Sequence, residues 1–272
     1  MSAQERLREV VRGLLSEGAV DCFIGFERGS VEGTSRPCFV RSEDDVGRLV
    51  WDRSCRDNLV RYLRSVSGKV GILVKGCDGL ALARLIEENQ LDRGSLYVVA
   101  IECGGVETPQ SPYTSPGGVK LADHCLRCRG NVSPVYDVLI ETGENPPVAT
   151  AREGKDPVHW SEEFQRCIRC LACIKVCPMC YCTECSLDGS KPWLLSKLRL
   201  QEELVTFHLV RALHMVGRCS ECGACEMACP VKIPLTRLYS SLNRRVESEL
   251  GGALSYARFK PVPSSLAKLE RT

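Results

Sequence analysis

Eight of the 18 cysteines in this chain repeat one spacing, C-x2-C-x2-C-x3-C followed by proline. The first copy begins at Cys167 and the second at Cys219. Two such runs are the known arrangement for a pair of 4Fe–4S clusters, in which the fourth cysteine of each run ligates the other run's cluster. The spacing therefore predicts cluster 1 on Cys167, Cys170, Cys173 and Cys229. It predicts cluster 2 on Cys219, Cys222, Cys225 and Cys177.

Structural zinc is the rival interpretation of these eight cysteines, because zinc also takes four thiolates. Zinc sites are typically built from C-x2-C pairs that lie well apart in the sequence, which the repeated run is not. The connection from Cys177 to Cys219 is long and largely helical in pattern. A compact two-cluster ferredoxin joins its halves by a shorter loop and strands. We therefore predict a mainly α-helical two-cluster ferredoxin domain.

A second set of four cysteines lies in the first half of the chain: Cys77, Cys103, Cys125 and Cys128. Cys77 and Cys103 each follow an apolar segment that is predicted to be a parallel strand, and open α/β sheets bind ligands at that edge. The C-x2-C pair at 125 and 128 lies in a loop that could close over the same edge. We predict cluster 3 here. The alternatives are zinc, or small buried turn residues, as free cysteine often is.

Three cysteines remain crowded behind the first repeat, at Cys180, Cys182 and Cys185. Cys55 is the partner that we single out for a fourth 4Fe–4S cluster, cluster 4. Alternatively, these thiols pack around the neighbouring cluster and tune its potential through hydrogen bonds and solvent exclusion. Cys22 and Cys38 lie in or beside apolar, strand-like segments and are interpreted as core residues.

Composition indicates where these thiols operate. The N-terminal sequence MSAQERLREV is charged and lacks the apolar core of a secretion signal, so a cytoplasmic protein with reduced thiols is expected. No uncharged apolar run approaches the roughly 20 residues of a membrane helix. With 36 basic and 34 acidic residues, the net charge of +2 gives no argument for a nucleic-acid partner.

The elements that must position the cysteines fall into two domains. Residues 1–150 are predicted to form an α/β domain whose most legible part is a parallel βαβ unit, with strands over 69–74 and 95–101. A helix is predicted from Glu43 to Val66, with Cys55 inside it. A proline pair at 146 and 147 suggests a boundary near 150. Residues 151–250 form the dicluster ferredoxin domain, and 251–272 form a tail.

No catalytic residues are predicted. The turn KGCDG at 75–79 is not a P-loop and GxGxxG is missing, so nucleotide binding has no support. Apart from the clusters, no cofactor site emerges from the residues. A non-catalytic subunit of a larger oxidoreductase needs no acid or base, since it only holds clusters and tunes them.

The order of these motifs resembles a known family. KGCDGLAL, IECGG, CLRC and PVYDVLI, followed by the two cysteine runs, are similar to the iron–sulfur relatives of the deazaflavin-coenzyme hydrogenase and formate dehydrogenase beta subunits. Within that group the chain looks most like subunits that accompany heterodisulfide-reductase-type electron-bifurcating complexes in anaerobes. The resemblance covers about residues 20 to 245.

The resemblance implies an electron-transfer subunit. It would relay electrons through several 4Fe–4S clusters between a dehydrogenase or hydrogenase module and a heterodisulfide-reductase-like flavoprotein. The alternative is a flavin-dependent, coenzyme-reducing beta subunit of a hydrogenase or formate dehydrogenase. Such beta subunits usually place the ferredoxin part first and a long flavin-binding region after it. Here the order is reversed and the chain is short, so bound FAD is not expected.

Overall fold

The computed structural model describes residues 1–108, 121–144, 158–188 and 200–249. The chain divides into two compact units, one within Met1–Thr150 and the other within Ala151–Ser255. The predicted tail, residues 251–272, lies outside the described residues.

A five-stranded mixed sheet forms the centre of the first unit. Its strands are β1 (Cys22–Arg28), β2 (Ser35–Val40), β3 (Val70–Val74), β4 (Leu96–Ile101) and β5 (Val138–Ile140). Their order in the sheet is β2-β1-β3-β4-β5. Strands β1, β3, β4 and β5 pair in parallel, and β2 is an antiparallel edge strand. The predicted βαβ unit is confirmed, with helix α2 (Gly76–Glu87) between β3 and β4.

Burial explains why β3 and β4 are continuous apolar runs. Every residue of both strands is buried, as expected for parallel strands covered on both faces. Helix α1 (Ala3–Ser16) begins with a capping box between Ser2 and Glu5, which satisfies two backbone N–H groups that the helix leaves unpaired. Its residues Leu7, Val11 and Leu14 are buried.

The predicted helix from Glu43 to Val66 is wrong. The structure has two short 3₁₀ helices, Glu43–Arg48 and Leu59–Ser65, and Cys55 lies in the segment between them. Local hydrogen bonds compete with the helix there, because the Asp52 carboxylate accepts from the backbone N–H of Ser54 at 2.8 Å. Apolar spacing alone does not report such competition.

All regular elements described in the second unit are helices. They are α3 (Trp160–Gln165), α4 (Ala172–Lys175), α5 (Gln201–Met215), α6 (Ala224–Met227) and α7 (Leu235–Glu249). Phe164 of α3 stacks on His208 of α5, with ring centroids 4.4 Å apart. No helix within the described parts of the chain is both long and apolar enough to cross a membrane.

Candidate metal centres

The two cysteine repeats follow the same backbone path in the second unit. Arg169 and Glu221 occupy equivalent places between the first two cysteines, and both have positive φ angles, 50° and 56°. Each donates its backbone N–H to the sulfur of the first cysteine of its repeat, Cys167 or Cys219, at 3.4 Å. The internal duplication seen in the spacing is therefore also a duplication of conformation.

A second left-handed residue follows in each repeat. Leu171 has a φ of 61° and Gly223 a φ of 70°, and each immediately precedes a short helix, α4 or α6. The third cysteine of each repeat, Cys173 or Cys225, lies in that helix and is buried. A left-handed backbone conformation is uncommon for a leucine. The first repeat therefore adopts with Leu171 a conformation that the second repeat adopts more easily with Gly223.

The structure brings Cys229 to the first repeat. The thiol of Cys173 interacts electrostatically with those of Cys167, Cys170 and Cys229. Cys229 belongs to the second repeat by sequence, but it interacts with Cys173 of the first repeat, as Cys167 and Cys170 do. These are the four residues predicted for cluster 1.

Cys177 is placed in the complementary way. The thiol of Cys219 interacts electrostatically with those of Cys225, Cys222 and Cys177. Cys177 also lies 3.9 Å from the sulfur of Met215, which is the last residue of α5. The four residues predicted for cluster 2 are thus neighbours as well.

Most of these thiols are partly or fully buried, and burial disfavours their charged forms. It raises the pKa of Cys173 to about 11 and the pKa values of Cys219 and Cys225 above their usual range. A metal centre supplies the positive charge that stabilises thiolates in such a place, and binding it releases the thiol protons.

The donor set fits a pair of 4Fe–4S clusters. Each group supplies four thiols, the ligand number that such a cluster takes. Among the residues that the structure describes, no three His, Cys, Asp or Glu side chains converge as the ligands of one metal ion do. Cluster ligands need not converge in that way, since each thiolate binds a different iron.

The four cysteines predicted for cluster 3 lie at the carboxyl edge of the parallel strands. Cys77 is in the first turn of α2, directly after β3, and Cys103 follows β4. The thiol of Cys125 interacts electrostatically with those of Cys103 and Cys128. Cys77 and Cys103 share an electrostatic neighbour, the ammonium group of Lys75. The loop with the C-x2-C pair therefore does come to this edge.

Backbone amides point at two of these sulfurs. Cys103 accepts a hydrogen bond from the N–H of Gly105 at 3.4 Å, and Cys125 accepts one from the N–H of Val106 at 3.3 Å. Such hydrogen bonds stabilise thiolates and influence the potential of a cluster. Burial nevertheless raises the pKa of Cys125 to about 12.

Two glycines allow the loop to approach the start of α2. A Cβ atom on Gly76 would overlap the carbonyl oxygen of Gly130, and one on Gly79 would overlap the Ser133 hydroxyl. The N–H of Cys103 also donates to the carbonyl of Asn131 at 3.1 Å. These contacts fix the loop against the sheet edge.

Sequence reasoning missed a buried ion pair beside this quartet. The Lys75 ammonium group lies 2.7 Å from the Asp78 carboxylate and donates to the carbonyl of Asp57 at 2.8 Å. Burial lowers the pKa of Lys75, but Asp78, together with Cys77 and Cys103, outweighs burial and raises that pKa. In the sequence, the signal for this ion pair was the three-residue spacing between the lysine and the aspartate of KGCDG.

The cysteines predicted for cluster 4 lie in different units. Cys55, in the first unit, is fully buried, and its thiol lies 3.8 Å from the carbonyl oxygen of Val50. In the second unit, Cys180 shares a hydrogen bond with Cys177, which lowers the pKa of Cys180. Cys182 is exposed and Cys185 is half-buried.

Comparison with known proteins agrees with the cluster chemistry. Residues 163–233 match the family model described as a 4Fe–4S dicluster domain. This range begins four residues before Cys167 and ends four residues after Cys229, so it contains both repeats. The 4Fe–4S cluster is accordingly the cofactor type of this chain.

Two curated relatives align with most of the chain. The F420-dependent formate dehydrogenase subunit beta of Methanocaldococcus jannaschii is 20% identical, with 88% of each chain covered. The F420-dependent formate dehydrogenase 1 subunit beta of Methanococcus maripaludis is 22% identical, with 88% of this chain and 87% of the relative covered.

The first of these alignments spans 337 residues, more than the 272 of this chain, so the relative contains stretches without a counterpart here. The similarity nevertheless extends beyond the dicluster domain into the α/β unit, because it covers 88% of the chain. The chain is thus similar over most of its length to F420-dependent formate dehydrogenase beta subunits, and it carries a 4Fe–4S dicluster domain.

Proposed function

We propose that this chain is the iron–sulfur electron-transfer subunit of an oxidoreductase of the formate dehydrogenase or hydrogenase type. It relays electrons between that dehydrogenase or hydrogenase module and a heterodisulfide-reductase-like flavoprotein. The observation that supports this proposal most directly is that Cys229 interacts electrostatically with Cys173 of the first repeat, and Cys177 with Cys219 of the second. An exchanged fourth ligand ties two clusters into one small domain, which keeps them close enough for electron transfer.

The relay has three clusters. Clusters 1 and 2 lie in the dicluster domain at 151–250, which we assign to the mainly α-helical kind of ferredoxin because its described elements are helices. Cluster 3, on Cys77, Cys103, Cys125 and Cys128, belongs to the α/β domain at 1–150. The residues themselves hold and tune the clusters, and the clusters supply one-electron chemistry.

Iron and acid-labile sulfide per chain test the proposal, measured on the full chain after anaerobic purification. Three clusters require about 12 irons. An EPR-monitored reductive titration should then resolve three one-electron centres. About 8 irons would remove cluster 3 from the relay, and redox-silent metal would contradict the electron-transfer function altogether.

Cluster 4, on Cys55, Cys180, Cys182 and Cys185, is the further ligand set that the sequence suggests, and it would raise the content to about 16 irons. The complete burial of Cys55 favours packing over ligation at that residue. The contact of Cys180 with Cys177 favours a role of Cys180 beside cluster 2. The iron content separates the two interpretations.

A second candidate function follows from the names of the relatives, both of which are F420-dependent beta subunits. The chain would then itself be a flavin-dependent subunit that reduces a deazaflavin coenzyme. Flavin that co-purifies stoichiometrically with the chain, and is bleached by the reduced coenzyme, would favour this function. A flavin-free chain with a full set of clusters would favour the relay.

A further inference from the structure

A buried arginine lies between the two cysteine repeats of the second unit. Arg211 of α5 is 1% exposed. Its Nη2 donates to the carbonyl of Cys173 at 2.9 Å, and its Nη1 donates to the Tyr239 hydroxyl of α7. The guanidinium carbon lies 5.0 Å from the centre of the Tyr239 ring. These contacts hold the charge in one place.

The ionisable neighbours of Arg211 are Tyr239 and thiols from both repeats. The guanidinium group interacts electrostatically with Cys173, a predicted ligand of cluster 1, and with Cys225 and Cys177, predicted ligands of cluster 2. It also contacts the thiol of Cys180. One cation therefore faces both candidate centres.

No carboxylate compensates this charge within the described residues. The ionisable groups that act on Arg211 are Tyr239 and thiols, not carboxylates, and its Nε has no hydrogen-bond partner among the described residues. Arginine cannot give up its proton in a protein, and an uncompensated buried charge is strongly unfavourable. A charge in such a position therefore requires an anionic partner.

The clusters themselves meet that requirement. A 4Fe–4S cube held by four thiolates has a net negative charge, and it gains one more negative charge when it accepts an electron. Net charge and hydrogen bonds set the potential of a cluster, and Coulomb interactions are strong away from water. A fixed cation beside the cube therefore favours the reduced form.

We infer that Arg211 acts on clusters 1 and 2 together. Its fixed positive charge raises the reduction potentials of both. The inference rests on the proposed binding of two 4Fe–4S clusters by these cysteines. Helix α5 thereby does more than connect the repeats, because it carries one cation that affects the reduction potentials of both clusters.

The test is an EPR-monitored redox titration of the full chain with Arg211→Met, after its iron content has been compared with that of the wild type. Both midpoint potentials should fall, and the ratio of reduced to oxidised cluster at a given potential should fall at least tenfold. A tenfold change corresponds to about 59 mV for a one-electron couple. Arg211→Lys keeps the positive charge, so its midpoint potentials should stay close to those of the wild type.

The matched control is Arg166→Gln. Arg166 is adjacent to Cys167, but its side chain is half exposed and is paired with Glu163 at 2.8 Å. Removal of this solvated charge should leave both potentials close to those of the wild type.

Unchanged potentials in an Arg211→Met protein with full iron content would overturn the inference, and so would a shift confined to one cluster. Should Arg211→Met fail to hold clusters, Arg211→Gln provides a second neutral variant that keeps an amide donor. Cluster loss in both neutral variants but not in Arg211→Lys supports the requirement for charge. Cluster loss in all three variants overturns the inference, because the shape of the arginine side chain rather than its charge would then be required. A wild-type chain without cluster spectra would instead refute the proposed function itself.

Discussion

Cys177 interacts electrostatically with Cys225, although the two thiols belong to different copies of the repeat. Cys229 correspondingly interacts electrostatically with Cys173. The predicted ligand sets accordingly take three thiols from one repeat and one from the other. In such an arrangement neither half can form its centre without the other half.

The first prediction concerns this exchange of ligands. Cys177→Ala should remove the same EPR signal as Cys219→Ala, because both residues would hold cluster 2. Cys229→Ala should remove the other signal, together with Cys167→Ala. Each single variant should lose about four irons per chain. Reductive EPR titration with iron analysis measures both effects.

If the four cysteines of each repeat instead bound one cluster, the variants would group differently. Cys177→Ala would then resemble Cys167→Ala rather than Cys219→Ala. Alanine is the appropriate replacement, because a serine oxygen can itself bind iron. Cys182→Ala is the control within the same segment, since Cys182 is exposed and is not a predicted ligand of either cluster.

The second prediction concerns cluster 3. Cys125→Ala should lower the iron content by about four and leave the signals of clusters 1 and 2 unchanged. Cys38→Ala is a matched control, since Cys38 is also a buried thiol of the first unit but lies in β2. Equal iron contents in the two variants would show that the cysteines at the sheet edge only pack.

The third prediction concerns Cys55. If this buried thiol packs in the core, Cys55→Ala should keep the wild-type iron content and should lower stability by about 1 kcal/mol through the cavity it leaves. Urea unfolding under anaerobic conditions measures the stability change. A loss of four irons would instead identify Cys55 as a ligand of cluster 4.

The dicluster domain was accessible to sequence reasoning because its signal is local. Short cysteine spacings constrain a loop tightly, and a repeated spacing implies a repeated site. The βαβ unit was accessible for a similar reason, since β3 and β4 are continuous apolar runs of the kind that only a doubly covered sheet requires.

Arg211 could not be predicted in the same way. It stands in an ordinary helical sequence, and its importance comes from contacts with Cys173 and Tyr239, which lie far from it along the chain. The helix prediction around Cys55 was wrong for a different reason. The apolar spacing of that segment suits a helix, but the Asp52 and Asn58 side chains bind nearby backbone amides and favour turns.

The fourth prediction concerns the Lys75–Asp78 ion pair, whose two side chains are almost completely buried. Lys75→Met should destabilise the first unit by about 3–5 kcal/mol, because it leaves the Asp78 carboxylate buried without its partner. The double variant Lys75→Met/Asp78→Leu should recover much of that loss. Hydrogen exchange of amides in β3 and β4 reports on this unit specifically. A double variant as unstable as the single one would show that the charges were not acting as a pair.

The last prediction concerns His208, a buried side chain whose two ring nitrogens have no hydrogen-bond partner in the described parts of the chain. Burial lowers the pKa of His208 to about 4. An unfolded histidine titrates near pH 6.5, so between these values the unfolded state binds the additional proton. Stability should therefore fall as the pH decreases below about 6.5, by about 1 kcal/mol for each pH unit.

His208→Phe should remove this contribution while preserving the stacked ring against Phe164. The quantity to compare is the loss of unfolding free energy between pH 7.5 and pH 5.5, measured anaerobically with urea, because the difference cancels any packing cost of the larger ring. His214→Phe is the matched control on the same helix, since His214 is exposed. An identical acid-induced loss in wild type and His208→Phe would mean that His208 takes up its proton in the folded state as readily as in the unfolded chain.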